Sequence, residues 1–249
     1  MHTTPDDGEN NGIDPSMTLG DIVTLRPSLA ADLERRGLDY CCHGGRTLAE
    51  AADEAGLDAR AVAEELSAAQ IDEPAAAWAS LEPVELVDHI EATHHRYLRE
   101  ALPRISGLVD KIATVHGDRH PELAEVRRLY TELRSDLEPH LVREEEELFP
   151  MIRRLAAGTG SATHDGALVA EIEALASEHE TVGDLLDQLH GITSGYATPA
   201  DGCASYAACY QALADLEADT HLHVHKENNV LFQAVQAYPA RTTAAATTT

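Results

Sequence analysis

The chain has 249 residues, enough for one large or two modest domains with a real hydrophobic core. Its 44 acidic and 18 basic residues give a formal net charge of −26, which argues against DNA, RNA or anionic lipid as a partner. Aromatic residues are only 4% of the chain and Ala, Leu, Glu and Asp dominate, so the expected fold class is all-α.

Residues 1–16 are polar and acidic, carry no apolar segment of the kind a secretory leader needs, and are expected to be disordered. No apolar stretch approaches the ~20 residues that span a bilayer. Four Cys, two of them adjacent, do not form a disulfide framework. The expectation is a soluble, cytoplasmic protein. Residues 17–72 read as a small helical domain. Thr18 opens a short helix (Leu19, Ile22, Val23) that stops at Pro27, and a second helix runs to Gly37. Thr47-Leu-Ala-Glu50 is a capping-box pattern opening a third helix that Gly56 ends, and Asp58 caps a fourth carrying Val62 and Leu66. Residues 73–80, with Pro74, read as a linker.

Four long helical stretches follow, about 83–113, 121–157, 166–193 and 203–237, separated by Gly-, Pro- and Asp-containing connections. At 1.5 Å per residue each is about 45 Å long, the size of an antiparallel four-helix bundle over residues 81–238. Pro103, Pro139 and Pro150 should each kink or break a helix. The tail, residues 239–249, is low in complexity and expected to be disordered.

Two segments of the bundle repeat one pattern: His140-Leu-Val-Arg-Glu144 and His223-Val-His-Lys-Glu227, each followed by Leu-Phe at the same offset. Positions i and i+4 lie on one helix face. A further His precedes each, His95 by 45 residues and His179 by 44, so His…His-x3-Glu occurs twice. These residues fall on apolar stripes. Leu168, Ile172, Leu175, His179, Val182, Leu186 and Leu189 step by four and three, and Leu133, Leu137, His140, Glu144 and Leu148 share a stripe. His95 lies among Val84, Val87, Leu98 and Leu102, and His223 and Glu227 line up with Leu216 and Val230. A carboxylate on such a face is costly unless paired or bound to a cation. Two carboxylates among four imidazoles call for a metal pair; the competing reading is a set of buried polar residues satisfied by one another. Imidazole and carboxylate without thiolate suit iron, manganese or zinc, and an open dinuclear site suits redox iron better than closed, four-coordinate structural zinc.

Beyond the residues themselves, 81–238 resemble the hemerythrin-like domain, with its repeated His…His-x3-Glu pattern. Residues 18–70, with Leu38-Asp-Tyr-Cys41-Cys42-His-Gly-Gly-Arg-Thr-Leu48, resemble the small N-terminal domain of the repair-of-iron-centres family, the ScdA and YtfE type. The resemblance implies a non-haem protein with two Fe ions, oxo- or hydroxo-bridged. They would be held by His95, His140, Glu144, His179, His223 and Glu227, with both Glu bridging. It further implies a role in nitrosative or oxidative stress, with damaged iron–sulfur proteins as partners and nitric oxide or oxygen as small ligands. Helical phase alone does not separate His94 from His95; the repeat spacing and the family pattern favour His95. His221 and His225 point away from His223 and read as surface residues or residues behind the ligands. His89 reads as a satisfied or exposed histidine, and Glu145, Glu146 and Glu147 as a solvated acidic face. Glu178 is a candidate for bringing water or protons to the site.

Cys41 and Cys42 are too strained as neighbours to bridge well, and in this family context a thiol role in binding iron or nitric oxide, or in redox exchange, is expected. Cys203 and Cys209 read as packing residues. Three functions compete: cluster repair by iron donation or nitric-oxide removal, nitric-oxide reduction at the metal pair, and gas binding without turnover. The Cys-Cys domain favours the first, since a plain gas carrier has no obvious use for it.

Overall fold

The computed structural model describes residues 12–69, 77–159 and 162–237, the backbone alone at 77 and 162–165. The disorder expected for residues 1–11 and for the tail, residues 239–249, and the first half of the expected linker, residues 73–76, lie outside the described residues. The chain divides into two compact units, the first ending at Ala79 and the second beginning at Ser80. Among the described residues there is no strand, only an isolated bridge between Thr18 and Thr47, and the protein is all-α.

Four short helices build the first unit. Helix α1 (Leu19–Leu25) starts where the Thr18 hydroxyl accepts the Asp21 amide. A 3-10 turn at Pro27–Leu29 leads to α2 (Ala30–Glu34), and Gly37 turns the chain away at φ 68°. Helix α3 (Leu48–Glu54) carries the reciprocal Thr47–Glu50 box, and α4 (Ala59–Ala68) is capped by Asp58. Leu19, Ile22, Val23, Leu33, Leu48 and Leu66 are buried. Residues 12–16, expected to be disordered, are folded. Ile13 is buried, its amide donates to Ser67 Oγ at 2.8 Å, and the Pro15 carbonyl accepts from the Ala49 amide. One apolar residue with two backbone anchors offsets the polar composition around it.

The second unit is the bundle. Its first arm is α5 (Pro83–Ile90), a π-helical turn at Glu91–His95, and α6 (Arg96–His116). The second arm is α7 (Leu123–Arg143), a π turn at Glu144–Leu148, and α8 (Phe149–Ala156). The third is α9 (Ala162–Ile192), and the fourth is α10 (Ala204–His225), a π turn at Lys226–Leu231, and α11 (Phe232–Gln236). One continuous core joins Leu98, Leu102, Ile105 and Val109 of α6 to Val126, Leu133 and Leu137 of α7. Leu186 and Leu189 of α9 and Tyr206, Leu213 and Leu216 of α10 complete it.

Of the two outcomes expected at the prolines, a break does not occur at Pro103 or Pro139. Pro103 and Pro139 lie inside α6 and α7, which continue past them. The departures from α geometry are the three π turns, and one of them directly precedes Pro150. A widened turn there relieves the clash a proline ring makes with the carbonyl four residues before it.

Candidate metal centre

The π turns sit at the site. Each inserts one residue into its helix, a device concentrated at functional positions, and each carries one of the polar core residues: His95 closes the first, Glu144 opens the second, Glu227 lies in the third. His179 comes from the uninterrupted α9. All six residues are at most 3% exposed.

Their inward atoms converge. Glu144 presents Oε1 to His140 Nε2 at 3.1 Å and to His179 Nε2 at 3.8 Å, and Oε2 to His95 Nε2 at 3.3 Å and His223 Nε2 at 4.0 Å. Glu227 lies 3.2 Å from both His179 and His223. Two overlapping groups result, His95–His223 and His140–His179, each completed by both carboxylates and fully buried. Glu144 and Glu227 are common to both groups. A further cluster of possible ligands is Asp39, Cys41 and Cys42 in the first unit.

Whether the six residues suit a metal is answered by their hydrogen bonding. Both oxygens of Glu144 and of Glu227, with His95 Nε2 and His223 Nε2, are buried without an aligned hydrogen-bond partner among the described residues. Behind the rings the reverse holds. His95 Nδ1 donates to Glu145 Oε1 at 2.7 Å, His140 Nδ1 to Glu178 Oε2 at 2.8 Å, and His179 Nδ1 to Asn228 Oδ1 at 3.0 Å. An acceptor at Nδ1 places the ring proton there and leaves the Nε2 lone pair facing inward. Two such nitrogens, His140 Nε2 and His179 Nε2, lie 3.1 Å apart. Facing lone pairs repel unless a proton or a metal ion lies between them, so the donor set fits a cation.

The electrostatics agree. Burial opposes charge on His95, but hydrogen bonding and charge from Glu144 overcome it and raise the ring to about 9. Burial is likewise outweighed by Glu144 and Glu227 at His179, raised to about 10, and His140 is raised for the same reason. Burial pushes Glu144 and Glu227 up, yet the imidazoles hold both below the usual carboxylate range, Glu227 in addition against repulsion from Glu144. Without metal, protons supply the positive charge the carboxylates require.

Several neighbours differ from the sequence reading. Glu145 is not part of a solvated face: it braces His95 and is itself held by Arg99, whereas Glu146 and Glu147 are exposed. Glu178 braces His140 and pairs with Arg143 at 2.6 Å. It also lines a cleft of about 380 Å³ with Asp136, Pro139, His140, Arg143, Thr181 and Val182. His94 lies beside the six, its ring stacked on His223 at 5.3 Å. His225 is fully buried, which removes the surface alternative of its two readings. Asn228, next to Glu227, lies outside the repeated His and Glu pattern of the sequence.

In the first unit, Cys41 is buried and Cys42 is half-buried, with the Sγ atoms 3.8 Å apart, so they are thiols and not a disulfide. The hydrogen bond to Cys42 and burial push the Cys41 thiol well up. Asp39 Oδ1 accepts from the backbone amides of both and from the Cys41 thiol at 3.2 Å. Cys209 is a packing residue, but Cys203 is not. It is exposed, with Sγ 3.2 Å from His116 Nε2, and that hydrogen bond with the backbone amides of α10 lowers the thiol to about 7.

Comparison with known proteins agrees with this geometry. A family model described as the hemerythrin HHE cation binding domain matches residues 86–235, and a second, ScdA_N, described as a domain of unknown function, matches residues 15–70. The chain is 33% identical over 216 residues to the iron-sulfur cluster repair protein ScdA of Staphylococcus haemolyticus, covering 86% of this chain and 95% of that one. It is 32% identical over 214 residues to the iron-sulfur cluster repair protein YtfE of Escherichia coli, covering 86% and 94%. The YtfE protein of Enterobacter is 33% identical over the same length. With a buried His/Glu cluster able to hold a metal inside a matching HHE bundle, and an ScdA_N unit ahead of it, this chain belongs to the ScdA/YtfE family of iron–sulfur cluster repair proteins.

Proposed function

We propose that this protein repairs damaged iron–sulfur clusters from a di-iron centre held by His95, His140, His179 and His223, with Glu144 and Glu227 shared between the two ions. The observation that carries the reading is the convergence of four Nε2 atoms on two buried carboxylates whose oxygens have no aligned hydrogen bond among the described residues. Two ferrous ions would supply transferable iron and a place for nitric oxide to bind. The protein's own residues do the rest. Glu145, Glu178 and Asn228 each accept the outer ring proton, which leaves Nε2 of His95, His140 and His179 as the nitrogen facing inward, where a metal ion would take the place of its proton. The apolar core beside the six would keep bulk water out, and the cleft at His140 and Glu178 would be the way in for small species. The names of the relatives support repair as the task, with damaged iron–sulfur proteins as partners. We assign the Cys41–Cys42 pair a thiol role in the same task, with Cys42, the more exposed of the two, as the reacting group.

Purification without oxygen followed by metal analysis tests the centre, with two irons per chain expected. Repair is tested by adding the loaded protein to an iron–sulfur enzyme inactivated by nitric oxide. Recovery that is absent with the Glu144→Gln variant supports the reading. Equal recovery with free ferrous iron at the same concentration refutes it. The cleft favours a second use of the same centre, nitric-oxide reduction. Anaerobic formation of nitrous oxide with excess reductant tests that use, and no product excludes it.

A further inference from the structure

Three of the four imidazoles are braced from behind and one is not. His95 is held by Glu145 at 2.7 Å, His140 by Glu178 at 2.8 Å, and His179 by Asn228 at 3.0 Å. His223 Nδ1 is buried, and none of the described residues accepts from it. Its ring lies flat on His94 instead, 5.3 Å between centroids at an angle of 7°. His94 in turn is clamped by Asp219 Oδ1 at 2.9 Å and Lys226 Nζ at 2.7 Å. Stacking limits the tilt of a ring but leaves its nitrogens without a partner. The bracing therefore divides unequally between the two ligand groups. Both rings of the His140–His179 group are pinned, and only one of the His95–His223 group.

That difference bears directly on metal binding. A ring that ligates through Nε2 must carry its proton on Nδ1. In the braced rings that proton already sits in a hydrogen bond. In His223 the favourable place for it is Nε2, which faces Glu227 Oε1 at 3.2 Å. Ligation moves it to Nδ1, into a buried position where none of the described side chains receives it, and an unmade buried hydrogen bond is expensive. Acceptors behind a metal-bound His are typically worth 10- to 100-fold in metal affinity.

We propose that the two metal positions are unequal by construction. The position framed by His95 and His223 is the exchangeable one, which fills last and empties first, and the position framed by His140 and His179 is retained. The inference rests on the metal-pair reading above and specifies which half of the centre gives up its ion.

The test is iron release from the full chain, loaded anaerobically with Fe(II), its iron content measured, and then mixed with a coloured Fe(II) chelator in stopped flow. Two phases of one iron each, separated by at least about tenfold, are expected. Glu178→Ala should speed the slow phase alone, and Glu145→Ala the fast phase alone. The corresponding Gln variants, which keep a neutral acceptor, should fall between the Ala variants and the unaltered chain, a gradation that simple loss of folding would not give. A single phase carrying both irons overturns the proposal, as does acceleration of the fast phase by Glu178→Ala. Fewer than two irons before mixing would instead remove the metal-pair reading, and this inference with it.

Discussion

Removing the charge of Glu144 while keeping its shape isolates what the centre does to the protein itself. Glu144 lies between 3.1 and 4.0 Å from all four imidazole Nε2 atoms. In the metal-free protein it is the leading reason that His95 titrates near 9 and His179 near 10, against 6.5 for an unperturbed ring. A group whose pKa is raised by folding contributes stability that is fully present below its unfolded value. That stability is lost as the pH climbs through the folded value. Metal-free protein should therefore weaken between about pH 6.5 and pH 10. For a ring shifted from 6.5 to 9, the loss is on the order of 3 kcal/mol. Because the rings share carboxylates, the contributions do not add, and about 3–5 kcal/mol is expected for the cluster. The assay is urea unfolding of metal-stripped chain at pH 6 and pH 9.5, followed by hydrogen exchange in α7 and α10. Those helices report the bundle, whereas the single Trp, Trp78, precedes it in the first unit. In Glu144→Gln the loss between the two pH values should fall below about half that of the unaltered chain. An equal pH dependence in both proteins, or greater stability at pH 9.5, would refute the reasoning.

Metal binding must displace those protons, so loading at pH 7.5 should release protons into weakly buffered solution and raise the thermal midpoint, and chelation should reverse both. Calorimetry in buffers of different ionisation enthalpy measures the release. Alkylation by a small iodoacetamide should label Cys203 first, with a rate that rises around pH 7, while buried Cys209, pushed up to about 12, stays unlabelled until the bundle unfolds. Peptide mass mapping reads the order. Thr47→Ala breaks the reciprocal cap of α3 and should cost the first unit about 1 kcal/mol in urea, with no change in iron content. Leu133→Ala, at a fully buried core position, should cost the bundle about 2–5 kcal/mol.

The elements and their inward faces are legible along the chain before any folding is considered. Thr18, Thr47 and Asp58 announce helix starts through local chemistry, since a cap involves residues two or three apart. The steps of three and four that place His179 among leucines reflect helix geometry and need no knowledge of the fold. The repeated His-x3-Glu survives for the same reason, because both members lie on one helix.

The groups that stand behind each ring are set by packing between helices. Glu145, Glu146 and Glu147 are adjacent and chemically identical, yet Glu145 alone meets an imidazole, one contributed by another helix and 50 residues away in sequence. Asn228 reaches His179 across 49 residues, and Cys203 meets His116 across 87. No periodicity encodes such pairs, since each depends on how two helices are rotated against each other. The π turns at Glu91–His95, Glu144–Leu148 and Lys226–Leu231 add to this. Each inserts one residue and so resets the facing of the helix beyond it, which a count of threes and fours along the chain does not register. The faces that carry the four His and two Glu are written in local spacing. The bracing of His95, His140 and His179, and its absence at His223, is written in packing.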